Sequence, residues 1–255
     1  VEGTPPAPIV ERYRAATDLL AALHGRTLPD TLPLTAETAY AIPAFDPEAM
    51  LIEVGLMLDW YLIDRGIEPG ETLRAEFMAI WRALLAKPDA ASATWVLRDF
   101  HSPNLIWLEQ RHDIGKVGII DFQDTVLGPA RIGLLDFQDA LIGPSAYDVA
   151  SLLQDARVDV PESIELALLT RYAKTRMGSE PHFDPAGFAE RYAVISAQRN
   201  TRLLGTFARL NRRDGKPHYL RHQPRIWTYL TRSLAHPALS AAQAWYQKHV
   251  PPPAG

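Results

Sequence analysis

Apolar residues recur at helical spacing along most of the chain, and this pattern predicts a mainly helical protein. One helix is expected over residues 9–24, with Tyr13 and Leu20 on its buried face. Another is expected over residues 71–86, where Phe77 and Trp81 share a stripe. Further helices are predicted over residues 147–155, 162–176, 184–215, 221–234 and 239–249.

Short apolar runs separated by polar turns predict a small β region between residues 94 and 136. Residues 95–97 form a brief buried strand. Residues 105–108 and 116–120 then read as the two arms of an antiparallel hairpin, because the segment between them is polar and ends in Gly115. The predicted fold class is therefore mainly α with a small β-hairpin region (α+β).

The loop that joins the first strand to the hairpin has the spacing of a phosphoryl-transfer loop. Arg98, Asp99 and Asn104 fit the pattern R-D-x-x-x-x-N, in which the Asp accepts the proton of the acceptor hydroxyl and the Asn holds Mg²⁺. Asp121, followed by Phe122, supplies a second acid for the metal. Oxygen ligands from both hairpin arms suit Mg²⁺, so Asn104 and Asp121 are predicted as its ligands.

A tandem repeat duplicates the segment that carries this second acid. Residues 117–131 are followed directly by residues 132–146, with a period of 15 and seven identical positions. Asp121 and Asp136 are therefore alternative metal ligands. Pairing the first copy with the strand at 105–108 gives the shorter hairpin loop and favours Asp121. The second copy, however, runs directly into the helix that carries Asp148.

Together these motifs resemble those of the aminoglycoside-phosphotransferase-like kinases. The resemblance lies in VLRDFHSPNLIWL, DFQDALIGPSAYDVASLLQDARVDV and QRNTRLLGTFARLNRRDGKPHYL, and MLDWYL fits the bacterial branch that phosphorylates the anomeric hydroxyl of amino sugars. It implies that residues 1–255 form the C-terminal lobe of a protein-kinase-like fold, which uses ATP and Mg²⁺ in the cytoplasm to recycle cell-wall sugars.

The resemblance also implies roles for single residues. Asp99 matches the catalytic base, Arg98 and His101 stand beside it in the catalytic loop, and Asp148 would brace that loop by accepting its backbone N–H groups. The chain departs from the family at Leu97, where a histidine often stands two residues before the catalytic Asp.

Nucleotide-binding motifs are absent from the sequence. Neither G-x-G-x-x-G nor G-x-x-x-x-G-K-[ST] occurs, and none of the five lysines lies in an early strand, so a lysine for the nucleotide phosphates is not expected in this chain. We expect the nucleotide-gripping N-terminal lobe to be missing, residues 1–8 to be a remnant of the hinge, and the chain to be inactive or weakly active. The alternative is a divergent nucleotide site within these residues.

Composition and charge narrow the choice of partners. The chain is 47% hydrophobic and lacks cysteine, a signal peptide and any apolar run of membrane-spanning length, which permits a cytoplasmic location. Residues 191–232 hold ten Lys or Arg against Asp214 alone, either as a solvated helix face or as a wall that attracts an anionic sugar or phosphate. With a net charge of −4 and no nucleic-acid motif, a small-molecule sugar is the predicted partner.

Several assignments stay open at the level of sequence. Trp60 and Tyr61 could form an aromatic platform for a sugar ring or pack in a core. The histidines other than His101, including His24, show no metal-ligand spacing and are predicted at the surface or at helix ends. Two other functions remain possible, namely phosphorylation of an aminoglycoside antibiotic and a non-catalytic, pseudokinase-like module that binds the acceptor. The sequence does not indicate an oligomeric state.

Overall fold

A computed structural model of the protein describes residues 9–35, 37–87, 93–119 and 140–253. This part of the chain is mostly helical with short strands, which confirms the mainly α prediction. Two compact units divide the chain: the first comprises residues 1–45 and 89–188, and the second residues 46–88 and 189–255. Within the described ranges, no helix combines the length and apolarity that crossing a bilayer requires.

The helices lie close to where the hydrophobic pattern predicted them, with α2 as an addition. In chain order the described helices are α1 Val10–His24, α2 Pro47–Leu56, α3 Glu71–Leu85, α4 Ala146–Leu153, α5 Glu162–Ser179, α6 Pro185–Asp214, α7 Gln223–Leu234 and α8 Ser240–His249. A π-helical stretch, Met57–Leu62, follows α2 directly. Helix starts follow from local chemistry: Asp46 Oδ1 accepts the N–H of Ala49 at 2.8 Å before α2.

Six short strands form three antiparallel pairs in the described residues. They are β1 Thr31–Pro33, β2 Ala39–Ala41, β3 Thr94–Val96, β4 Leu105–Trp107, β5 Val117–Ile119 and β6 Leu141–Gly143. The β4–β5 pair is the predicted hairpin, with Leu105 opposite Ile119. The β1–β2 pair was missed, because its three-residue strands are largely exposed and carry no hydrophobic alternation long enough to detect.

The first unit is built around α4. All eight residues of this helix are buried, and α1 packs against both α4 and α5 through side chains that include Tyr13, Ala16 and Leu20. A polar side chain on α4 therefore has no access to water and must find its partners within the protein. Asp148 is such a residue, and its position below the loop after β3 organises the candidate site.

The second unit has an aromatic core between α3 and α8. The ring of Phe77 lies 4.7 Å from that of Trp245, measured between centroids, and Trp81 and Tyr246 are also buried. In the same unit α6 passes very close to the end of α2. A Cβ added to Gly205 would lie 2.4 Å from the backbone of Leu56, so only glycine permits this approach.

Candidate active site

The loop between β3 and β4 exposes one acid between two buried anchors. Leu97 and Phe100 are buried, whereas the side chain of Asp99 is 57% exposed. A 3₁₀ turn, Ser102–Asn104, then leads into β4. The carboxylate of Asp99 is thus presented to solvent from a backbone that is held by the core on both sides, as a residue that meets a diffusing substrate must be.

Arg98 adopts a strained backbone conformation within this loop. Its φ angle is +63°, in the left-handed region that costs a non-glycine residue about 1–3 kcal/mol. Asp148 compensates by accepting the N–H of Leu97 at 2.7 Å and the N–H of Arg98 at 3.0 Å. Ser151 Oγ donates to the carbonyl of Arg98 at 3.3 Å. These are the hydrogen bonds that a loop-bracing acid makes, and they fix the peptide that precedes Asp99.

A second buried acid holds the far end of the loop. Asp155 accepts the N–H of Ser102 at 3.0 Å and that of Arg157 at 2.8 Å. The sequence analysis missed this residue. Asp155 lies two residues beyond the end of α4, so the helical period that places Asp148 gives no signal for it. The loop is therefore supported at both ends by carboxylates from a single segment.

The predicted loop residues Asp99, His101 and Asn104 are brought together. Asn104 Nδ2 donates to the carbonyl of Asp99 at 3.1 Å, so Oδ1 is the amide atom that would ligate a cation. His101 Nε2 lies 4.0 Å from Asp99 Oδ1 and 3.5 Å from Arg157 Nη1. The Arg98 guanidinium lies 5.8 Å from the ring centroid of Phe45. Their catalytic roles stay predictions.

The predicted metal ligands are only partly described. Asp121 and Asp136 lie outside the described residues, as do residues 1–8 and residues 120–139 of the duplicated segment. Within the described ranges, no group of three His, Cys, Asp or Glu side chains could hold a metal ion. The pairing on which the preference for Asp121 rested is observed, since β5 of the first copy pairs with β4 and sets Ile119 opposite Leu105, the residue after Asn104.

A cavity of about 230 Å³ opens beside the loop in the first unit. Its walls expose polar and apolar groups in similar measure and include Leu105, Ile106 and Trp107 of β4. Arg12 of α1 also lines it, with its guanidinium 5.7 Å from the Trp107 ring centroid.

The two predicted platform residues belong to the second unit and differ in exposure. Tyr61 is fully buried, and its hydroxyl donates to the carbonyl of Pro251 at 3.0 Å. Burial raises the pKa of Tyr61 to about 12. This environment matches the core-packing alternative rather than a sugar platform. Trp60 is half-buried, and a platform role for it stays a prediction.

The basic stretch at 191–232 is not a uniformly solvated helix face. Arg199 is 3% exposed, and Arg202 Nε lies 3.7 Å from Glu53 Oε2 in the second unit. By contrast, Arg212 and Arg213 at the end of α6 are exposed. The surface charge is therefore smaller than the count of basic residues suggested, and the stretch is a weaker argument for an anionic ligand.

Comparison with known proteins finds one matching family model and several relatives that share one name. A model of the Phosphotransferase enzyme family matches residues 1–132. A protein of Caulobacter vibrioides named N-acetylmuramate/N-acetylglucosamine kinase is 36% identical over 249 residues, which are 98% of this chain and 62% of that protein.

Relatives with the same name show similar identity over a shorter region. The Pseudomonas aeruginosa protein is 34% identical over 203 residues, 78% of this chain and 54% of its own length. The Neisseria meningitidis protein is 35% identical over 199 residues, 75% and 52% respectively. The chain thus spans between about half and three fifths of the length of these relatives.

Proposed function

We propose, from the premise that this chain belongs to the phosphotransferase enzyme family, that the protein transfers the γ-phosphoryl group of ATP to the anomeric hydroxyl of an amino sugar. The names of its relatives favour N-acetylmuramate or N-acetylglucosamine as the acceptor. The observation that carries the proposal is the braced loop, which presents Asp99 to solvent. In this proposal the chain corresponds to the C-terminal lobe of a protein-kinase-like fold, in a cytoplasmic enzyme that recycles cell-wall sugars.

Asp99 is the proposed base. The acceptor oxygen bonds to the γ-phosphorus, the bond from that phosphorus to the β,γ-bridging oxygen breaks, ADP leaves, and the hydroxyl proton passes to the Asp99 carboxylate. Much of the catalysis in such reactions is positioning, so a rigid loop matters as much as the carboxylate itself. The hydrogen bonds from Leu97, Arg98 and Ser102 to buried acids supply that rigidity.

Other loop residues would act on Asp99 and on the phosphates. Asn104 Oδ1, together with Asp121 or its duplicate Asp136, would hold a Mg²⁺ ion that neutralises charge on the transferring phosphoryl group. His101 lies between Asp99 and Arg157, at 4.0 and 3.5 Å, where it can orient the carboxylate.

The cavity beside β4 adjoins the candidate loop in the first unit and could receive part of a substrate. Its apolar wall can cover a purine ring, and Arg12 can meet an anionic group. It adjoins the loop through Ser102 and Leu105, which stand on either side of Pro103 and Asn104 in the sequence. The family match is what supports ATP as the phosphoryl donor.

The proposal is tested by kinase assays on the protein with Mg·ATP and N-acetylmuramate, N-acetylglucosamine or kanamycin. We expect phosphorus-31 NMR to show a phosphate ester at the anomeric carbon of an amino sugar. Asp99→Asn should lower kcat by about 10³-fold or more, because general base and positioning functions are both lost. Glu109→Gln is the matched control, since this exposed acid lies in the turn after β4. Near-normal turnover by Asp99→Asn, or phosphorylation of kanamycin alone, would contradict the proposal.

A further inference from the structure

His24 lies buried beneath the candidate catalytic loop at the end of α1. The residue is 4% exposed, so it is a helix-end histidine as predicted but not a surface one. Its Nε2 atom is 3.7 Å from Asp148 Oδ2, and both side chains are inaccessible to solvent. The same Asp148 carboxylate accepts the N–H groups of Leu97 and Arg98. His24 is thus one contact away from the backbone that precedes Asp99.

The hydrogen bonds around His24 determine which ring nitrogen carries the proton. Arg176 Nη1 donates to the Tyr172 hydroxyl at 2.9 Å, and an arginine can only donate. Tyr172 therefore accepts from Arg176, and we infer that it donates its own proton to His24 Nδ1, which lies 2.8 Å away. Burial raises the pKa of Tyr172 to about 12, so the hydroxyl keeps this proton. Nδ1 is then an acceptor, and the proton of a neutral His24 sits on Nε2.

The proton on Nε2 is directed toward the Asp148 carboxylate, which is buried and is stabilised by hydrogen-bond donors. Burial lowers the pKa of His24, although the neighbouring Asp148 acts in the opposite direction, so the ring is neutral at pH 7. At 3.7 Å the contact is longer than a hydrogen bond and acts as a dipole facing the charge. A buried carboxylate is stable only when N–H groups or cations surround it. Among the described residues, His24 Nε2 and the amides of Leu97 and Arg98 lie against the Asp148 carboxylate.

We propose that His24 is a positioning residue for the catalytic loop. Its Nε2–H group holds the Asp148 carboxylate in the orientation that binds the amides of Leu97 and Arg98, and these amides fix Asp99. Tyr172 and Arg176 act behind it by setting the tautomer. The consequence for catalysis rests on the proposed phosphotransferase function, whereas the consequence for loop order does not.

Hydrogen exchange of this chain tests the effect on loop order. His24→Phe keeps a ring but removes both nitrogens, and we expect the Leu97 and Arg98 amides to exchange about tenfold faster or more, because their acceptor is released. His24→Gln restores an N–H near the position of Nε2 and should recover much of the protection. The control is Thr17→Ala, another buried α1 residue, whose hydroxyl bonds only to its own helix, at Tyr13 O.

A second variant keeps the test decisive if His24→Phe fails to fold. Tyr172→Phe removes the hydroxyl that sets the tautomer, and it should also speed exchange at the two loop amides, while the amides of α8 in the second unit keep their rates. Unchanged exchange at Leu97 and Arg98 in both variants, or an equal increase in Thr17→Ala, would overturn the proposal.

Kinetics separate this inference from the proposed function. In the active gene product, His24→Phe should lower kcat by about tenfold or more and leave KM for sugar and ATP within about twofold, because His24 touches neither substrate. His24→Gln should restore much of kcat. A rise in KM with unchanged kcat would assign His24 to binding and refute positioning. If Asp99→Asn stays active, the proposed function fails, but the exchange experiment still decides the role of His24.

Discussion

Replacing Asp148 by Asn measures how much the loop depends on its buried acid. The wild-type carboxylate accepts the N–H groups of Leu97 and Arg98 at 2.7 and 3.0 Å, and the residue is 0% exposed. Asn keeps one oxygen but turns an NH₂ group toward the second amide. One charge-assisted hydrogen bond, of about 1.5–3 kcal/mol, is then replaced by two facing donors, which cost a further 1–3 kcal/mol or so.

Relief from burying a charge offsets part of this loss, so the expected decrease in unfolding free energy for Asp148→Asn is about 2–4 kcal/mol. Urea denaturation followed by circular dichroism gives this value. Asp46→Asn is the matched control: Asp46 also accepts a backbone N–H, at 2.8 Å, but Asn caps a helix as well as Asp does. We expect no change there. A loss below about 0.5 kcal/mol for Asp148→Asn would refute the bracing argument.

The remaining predictions concern the second unit. Gly205→Ala should lower the unfolding free energy by about 1–3 kcal/mol, because its Cβ would lie 2.4 Å from the Leu56 backbone. Gly55→Ala has open space around its Cβ and should raise the unfolding free energy by about 0.5–1 kcal/mol. Calorimetry on both variants tests this pair, and a Gly55→Ala variant less stable than Gly205→Ala would contradict the reasoning. Burial raises the folded-state pKa of Tyr61 from 10.0 to about 12, so its contribution to stability is complete below pH 10 and is lost between pH 10 and 12. Denaturation at several pH values should show that the unfolding free energy of Tyr61→Phe falls less steeply over this range. An equally steep fall in that variant would contradict the assignment.

The loop could be predicted because its information is local. Asp99 and Asn104 are five residues apart, and the hydrogen bond between them, at 3.1 Å, closes within the same loop. Flanking apolar runs fixed the strand before the loop and the hairpin after it, and β4 and β5 pair as expected. Short-range residue spacing and hydrophobic alternation were therefore enough to predict the candidate loop and the hairpin that follows it.

The supports of the loop could not be predicted in the same way. The sequence predicts a helix that carries Asp148 and has Asp155 at its end, but nothing in the helical period says that both acids lie beneath amides about fifty residues earlier. His24 was harder still, since a helix-end histidine has no sequence feature that distinguishes burial from exposure. These contacts arise from the packing of α1 on α4, which depends on the whole core of the unit.

The duplicated segment is compatible with the fold because its first and last residues form paired strands and its added length has a small entropic cost. β5 comes from the start of the first copy and β6 from the end of the second, so both strand pairings are those that a single copy would make. Residues 120–140, twenty-one in number, separate the two strands. Removing one period of fifteen would leave six. Loop closure entropy grows as the logarithm of length, so the longer connection costs only about 1 kcal/mol. A second copy of the segment can therefore be carried without disturbing the strand pairs on either side of the candidate loop.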